Sequence, residues 1–208
     1  MSMTTTQISA SAVKQLREET GAGMMECKRV LEETSGDHAA AVKLLRERGA
    51  AKASKLGGRT TTEGLVASYV HGGKIGVLVE VGCNTDFVAR NDDFEAFCND
   101  VAMHIAAMAP QWVSREDVPA DIVDAEREIY IAQAADKPEQ VRGKIAEGKL
   151  DKWFSEVCLL EQQWVRGKEK FGKDTTIEEL RAQVSSGTGE NVEIKRFVRF
   201  QLGESLEA

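Results

Sequence analysis

Between residues 65 and 81 the chain reads as two short apolar runs broken by adjacent glycines, and this pattern restricts the fold more than any other. Leu65-Val66-Ala67-Ser68-Tyr69-Val70-His71 precedes Gly72-Gly73, and Lys74-Ile75-Gly76-Val77-Leu78-Val79-Glu80-Val81 follows. Strand side chains alternate with period two, and a glycine pair supplies the positive φ angles of a tight hairpin turn. Ile75, Val77, Val79 and Val81 therefore share one face of the second strand. A face so apolar needs a cover. Phe94, Phe97, Cys98, Val101, Ile105 and Met108 recur at helical spacing just downstream, from a start at Asn91 or Asp92 to a stop at Pro110.

The rest of the carboxy-terminal part fits an antiparallel sheet with packed helices. Ile122, Ala125, Ile129 and Ala132 mark one helix beyond Pro119. Asp136-Lys137-Pro138 marks a turn, and Val141, Ile145, Leu150 and Phe154 mark a returning helix, giving a helical hairpin over about residues 119–156. Gly143 and Gly148 each cost an isolated helix ~1 kcal/mol relative to alanine, so the hairpin is expected to lean on a body or a partner. Residues 157–160 read as a short third strand and residues 168–174 as a charged loop. Thr175 and Glu178 have capping-box spacing ahead of Ile177, Leu180 and Val184. In the last strand Val192, Ile194, Val198, Phe200 and Leu202 fall on one face, with Arg196 and Phe197 interrupting the alternation. The expected class is α+β.

Upstream the period is helical. Ser9 or Ser11 caps a first helix carrying Val13 and Leu16, which ends at Thr20-Gly21. A second carries Cys27, Val30 and Leu31 toward Gly36. Asp37 caps a third, which carries Val42, Leu44 and Leu45 and closes at Gly49. Residues 50–56 are helix-prone and basic, and residues 57–62 form a polar, glycine-containing linker. The boundary is placed there, giving a three-helix domain with its basic linker over 1–58 and an α+β domain over 59–208. Met24 and Met25 are adjacent at a helix start and cannot face the same way. They either fill gaps in a small core or offer an adaptable binding surface.

Composition excludes several function classes. With 208 residues and 42% hydrophobic content the chain can bury a substantial core. No run approaches the ~18 apolar residues of a membrane span, and Met1-Ser2-Met3-Thr4-Thr5-Thr6 lacks a basic segment followed by an apolar one, so a cytoplasmic protein without membrane association is expected. The net charge of −7 is concentrated beyond residue 58, where 27 acidic groups face 18 basic ones. Phosphate binding needs a basic face, so nucleic acid is not the expected partner and a protein is. The four cysteines (Cys27, Cys83, Cys98, Cys158) contain no C-x-x-C pair and the three histidines (His38, His71, His104) no ligand cluster; neither a metal site nor a cofactor is expected.

No catalytic constellation is present either. The phosphate-cradling, dinucleotide-binding, nucleophile-elbow and zinc-protease motifs are all missing from the sequence. Cys83 follows a glycine at the end of a strand, yet has no neighbouring histidine or base to activate it. What remains is Val81-Gly82-Cys83-Asn84-Thr85-Asp86-Phe87-Val88-Ala89-Arg90-Asn91, at the junction between the second strand and the covering helix. Two readings stay open: an ordinary turn with Thr85 or Asp86 as cap and Phe87 in the core, or an exposed wedge in which Phe87 anchors in a partner's pocket beside the Asp86 carboxylate.

Two stretches resemble a known family. Leu16-Arg17-Glu18-Glu19-Thr20-Gly21-Ala22-Gly23-Met24-Met25-Glu26-Cys27-Lys28 and Glu80-Val81-Gly82-Cys83-Asn84-Thr85-Asp86-Phe87-Val88-Ala89 are similar, in order and spacing, to the two signatures of the bacterial translation elongation factor Ts family, guanine-nucleotide exchange factors of elongation factor Tu. The resemblance implies a ubiquitin-associated-like three-helix domain that docks on the nucleotide-binding domain of elongation factor Tu, with Val13, Leu16, Met24 and Met25 among the contacts. It also implies that Thr85, Asp86, Phe87 and Val88 enter the GTPase and dislodge its magnesium ion, with no covalent chemistry. The chain has one sheet set and one helical hairpin and so resembles the short form of the family, which implies a homodimer. Val198 stands where some short members carry a cysteine, so no intersubunit disulfide is expected there. A binding adaptor built on the three-helix module alone would leave the second signature unexplained.

Overall fold

The computed structural model describes residues 8–172 and 174–204. Three helices come first: α1 (Ala10–Thr20), α2 (Met24–Glu33) and α3 (His38–Leu56). The Ala12 amide donates to Ser9 Oγ at 3.1 Å and the Ala40 amide to Asp37 Oδ1 at 3.0 Å. Each such cap satisfies a helix-end donor and stabilises by ~1 kcal/mol. Val13, Leu16, Cys27, Val30, Leu31, Ala41 and Leu45 pack into one buried cluster between them. Gly36 closes α2 from a little beyond its end, its amide donating to the Leu31 carbonyl at 2.8 Å. The third helix does not stop at Gly49 as the sequence pattern predicts; it continues to Leu56 because Ala53 and Leu56 are buried on its far half. That burial outweighs the ~1 kcal/mol helical cost of one glycine.

The body is built on β1 (Glu63–His71), β2 (Ile75–Cys83) and, at the other end of the chain, β3 (Glu193–Gln201), antiparallel and in the order β1-β2-β3. Gly72 and Gly73 take φ of 55° and 68°, which lets the hairpin turn back within three residues. Val77, Val79 and Val81 are buried on one face beneath α5 (Asp92–Met108), which brings down Phe94, Phe97, Cys98, Val101 and Ile105. Asn91 caps α5, its Oδ1 accepting from the Asp93 amide at 2.8 Å. The class expected from the sequence is the class found: helices first, then an antiparallel sheet with helices packed on it.

Several local readings need correction. Residues 157–160 are not a strand: α6 (Ala120–Gln133) and α7 (Glu139–Val157) form the hairpin, α7 runs to Val157, and a 3-10 turn follows over Leu159–Glu161. Only Cys158 makes a strand-like bridge, to Trp112. The apolar run is there because Val157 and Cys158 close a third buried cluster with Val118, Leu150 and Phe154 at the root of the hairpin. Ile129 and Val141 are exposed, so the hairpin's apolar stripe narrows away from that root. The charged segment expected as a loop contains a short helix, α8 (Gly167–Phe171); Lys173 lies outside the described residues. The capping box before α9 (Ile177–Thr188) is one residue later than its spacing predicts: Thr176 and Glu179 bond reciprocally at 3.1 and 3.3 Å.

The last strand also differs. Ile194 opposes Val81 while Arg196 opposes Glu80, leaving Lys195 as an extra residue in a β-bulge. Beyond it the faces exchange. Phe197 turns in toward the core, whereas Val198, Phe200 and Leu202 stand exposed on the outer face. Arg199 also turns in, and its Nε donates to the Ala106 carbonyl near the carboxy-terminal end of α5 at 3.4 Å. The three-helix part rests against α9: Arg46 pairs with Glu179, Lys52 donates to the Ser186 carbonyl, and Gln183 donates to the Thr20 carbonyl.

One buried polar group ties α5 to the root of the hairpin. His104 is fully buried; its Nε2 donates to Gln162 Oε1 at 3.0 Å, and its Nδ1 accepts from the Val165 amide at 3.3 Å. Burial, only partly offset by the Gln162 bond, pushes its pKa down to about 4. A proton on Nδ1 would face the Val165 N–H, donor against donor. Because the folded pKa lies below the unfolded value of about 6.5, stability is full above pH 6.5 and falls as the unfolded state gains a proton that the folded state refuses down to about pH 4. Denaturant titrations should show His104 removing about 3 kcal/mol between pH 7 and pH 4, and this part of the slope should vanish in His104→Asn.

Candidate functional site

The junction between β2 and α5 is a short helix, α4 (Asp86–Ala89), held at both ends. Val88 and Ala89 are buried in the main core, so successive positions of one helical turn must point elsewhere. Phe87 points outward and is 86% exposed, more than any other large hydrophobic among the described residues. It is therefore not tucked into the core. Asp86 is half exposed beside Arg90, 3.3 Å away, an ion pair worth little at such exposure. Thr85 precedes α4 but does not cap it through its side chain. Its hydroxyl donates instead to Glu190 Oε1 at 2.6 Å.

The strand end that carries this tip is tightly fastened. Gly82 is needed because a Cβ there would lie 2.9 Å from Thr61 Cβ and 2.7 Å from Lys195 Cε, which close over the backbone. Asn84 spans two neighbours: its Nδ2 donates to the Thr60 carbonyl at 2.7 Å, and its Oδ1 accepts from the Asn191 amide at 2.8 Å. The Asn84 and Thr85 amides both donate to Glu190 Oε2 at 3.0 Å. Asn191 donates through Nδ2 to the Arg59 carbonyl at 3.0 Å and the Gly57 carbonyl at 3.4 Å, holding residues 57–60 against the same node. Sequence reasoning missed Glu190 and Asn191. They lie more than a hundred residues from the tip, and the only local cue is a polar pair between Gly189 and a strand.

Cys83 is buried and donates to the Thr85 carbonyl at 3.2 Å. Burial and then the Glu190 charge push its thiol pKa up, opposite to what a nucleophile requires. Burial also raises Cys98, to about 12, and Cys158, to about 11. Among the described residues, no group of three or more His, Cys, Asp or Glu is placed to hold a metal ion, and no helix is long and apolar enough to cross a membrane.

The residues expected to make amino-terminal contacts divide in two. Val13 and Leu16 are buried in the three-helix cluster, whereas Met24 is 51% and Met25 77% exposed at the start of α2. The methionines are thus surface rather than gap-filling.

Both segments lie within the stretch that one family model matches. The family model for elongation factor Ts matches residues 4–204. The chain is 53% identical to elongation factor Ts of Geobacter metallireducens, over 96% of this chain and 91% of that protein. It is 53% identical to the same factor of Geobacter sulfurreducens, over 96% and 92%. Against that of Fervidobacterium nodosum it is again 53% identical, over 95% and 100%. A match across nearly the whole length, to proteins that are themselves covered nearly end to end, establishes that this chain belongs to the elongation factor Ts family.

Proposed function

We propose that the chain is the guanine-nucleotide exchange factor of elongation factor Tu, binding its GDP form and promoting GDP release by inserting the Thr85-Asp86-Phe87-Val88 segment beside the bound magnesium. Family membership carries the role in translation elongation. The single observation supporting the insertion is Phe87, a large apolar side chain left in water on a helical turn whose next two residues are buried. Phe87 is the wedge and Asp86 its polar companion. Thr85 and Val88 set the turn from either side.

The exchange needs no bond to be made or broken. A factor that binds nucleotide-free elongation factor Tu more tightly than the GDP form lowers GDP affinity by the same ratio by which GDP lowers its own. Magnesium neutralises phosphate charge, so displacing it weakens the nucleotide's hold electrostatically. The part over residues 1–58 is read as a ubiquitin-associated-like domain that docks on the nucleotide-binding domain. Met24 and Met25 make its direct contacts, and Val13 and Leu16 shape the helices that present them. Residues 59–208 form the body that carries the wedge. Such a factor works in the cytoplasm and needs neither nucleic acid nor a membrane.

A homodimer is part of this reading. The outer face of the sheet carries Val66, Val70, Leu78, Val198 and Phe200, all exposed and spread over three adjacent strands. A contiguous apolar face of this kind is an association surface, and a second copy offers the same face.

Three outcomes test the reading. Phe87→Ala should slow GDP release from elongation factor Tu roughly thirtyfold, the effect of removing a ~2 kcal/mol aromatic anchor, without lowering the melting temperature; an unchanged rate in stopped flow refutes the insertion. Met25→Ser should raise the half-saturating concentration severalfold while sparing the maximal rate. Leu78→Glu should convert a dimer to a monomer in light scattering, and a wild-type protein that is strictly monomeric at micromolar concentration removes the dimer.

A further inference from the structure

The wedge has little of its own to hold it in place. A four-residue helix has hardly any internal hydrogen bonding, and isolated helices this short are unstable in water. Burial of Val88 and Ala89 fixes its far side, but the near side, Asn84-Thr85, is exposed to half-buried backbone at a strand end. Three donors converge there on one acceptor group. The Asn84 amide, the Thr85 amide and the Thr85 hydroxyl all donate to the carboxylate of Glu190, at 3.0, 3.0 and 2.6 Å. Charge-assisted bonds of this kind are about twice as strong as neutral ones, and both oxygens are engaged.

Glu190 is itself secured. Its backbone carbonyl accepts from Ser185 Oγ at 2.5 Å, so the residue is fixed to the end of α9. Its neighbour Asn191 is buried, donates its amide to Asn84, and holds the Arg59 carbonyl. The carboxylate therefore reaches the tip from the short connection between the end of α9 and the start of β3, which these bonds hold.

We propose that Glu190 is the positioning residue of the exchange reaction, holding the Asn84-Thr85 backbone so that Phe87 is presented in its inserting orientation before the partner is met. This rests on the reading of Phe87 as the wedge. Glu190 touches neither nucleotide nor magnesium in this scheme; it acts only through the tip. A side chain ordered in advance spares the complex the entropy of ordering it at the moment of insertion. Losing Glu190 should thus lower the maximal rate of GDP release more than it weakens the encounter.

The test is stopped-flow release of a fluorescent GDP analogue from elongation factor Tu, with the full chain as wild type, Phe87→Ala, Glu190→Ala, Glu190→Gln and the Phe87→Ala/Glu190→Ala double variant. Glu190→Ala should cut the maximal rate about tenfold, of the order expected when an active group is misplaced by an ångström or less, with the half-saturating concentration unchanged. Glu190→Gln, which keeps one acceptor oxygen, should recover part of the loss. The double variant should be no slower than Phe87→Ala alone, because a residue acting through the wedge has nothing left to position. Amide exchange at Asn84 and Thr85 should accelerate in Glu190→Ala while α5 stays protected.

If Phe87→Ala leaves the rate unchanged, the wedge reading itself falls. Slowing in Phe87→Ala but not in Glu190→Ala overturns the positioning role alone, and so does a double variant slower by the full product of the two effects. Should Glu190→Ala fail to fold, Thr85→Val removes only the 2.6 Å hydroxyl bond; it should cost about threefold in maximal rate, and no loss would overturn the proposal.

Discussion

Val77, Val79 and Val81 leave water from one side only, and α5 is what covers them. Each fully buried valine or phenylalanine in that contact contributes about 1.5–3 kcal/mol relative to exposure. The sheet has no second layer among the described residues, so this single interface fixes β1 and β2 and the helix at once. It also fixes what lies between them. A chain leaving β2 at Cys83 and entering α5 at Asp92 has eight residues to turn in, and with Val88 and Ala89 required by the core, Phe87 is left outside. The exposure of Phe87 is thus a by-product of the packing of β2 against α5.

That arrangement separates the two demands on the tip. Exposed apolar surface destabilises nothing here, because Phe87 contributes almost no buried area and the fold is held by its neighbours. The polar fastening by Asn84, Glu190 and Asn191 gives direction without adding bulk that would obstruct a partner. Residues 57–60 are held by two of the same side chains, Asn84 and Asn191. The three-helix part therefore leaves the body from a point anchored beside the tip, and it is further braced along α9 by Arg46, Lys52 and Gln183.

Much of this was legible from side-chain period. The Gly72-Gly73 hairpin, the buried face of β2, the Asn91 cap and the apolar stripe of α5 follow from alternation, glycine and capping, all of which act over a few residues. So do the Ser9 and Asp37 caps. Legibility failed where distant burial overrode a local signal. Gly49 looks like a helix end until Ala53 and Leu56 are seen to be buried, and residues 157–160 look like a strand because a hairpin root needs apolar residues in any conformation. Phe87 could not be decided by period at all, since one turn of helix is too short to have one. Glu190 could not be found because its partners are distant in sequence and nothing local sets it apart from other glutamates.

The bulge at Lys195 carries a consequence for how the last strand can vary. Upstream of it, inward residues such as Ile194 complete the body's own core; downstream, the residues that alternation would have sent inward, Val198 and Phe200, are on the open side. Removing one residue at that point would restore the simple alternation, drive Val198 and Phe200 against α5 and expel Phe197 and Arg199 into solvent. The strand's length in residues, rather than the identity of any one of them, therefore determines which of its side chains join Val66, Val70 and Leu78 on the outer face.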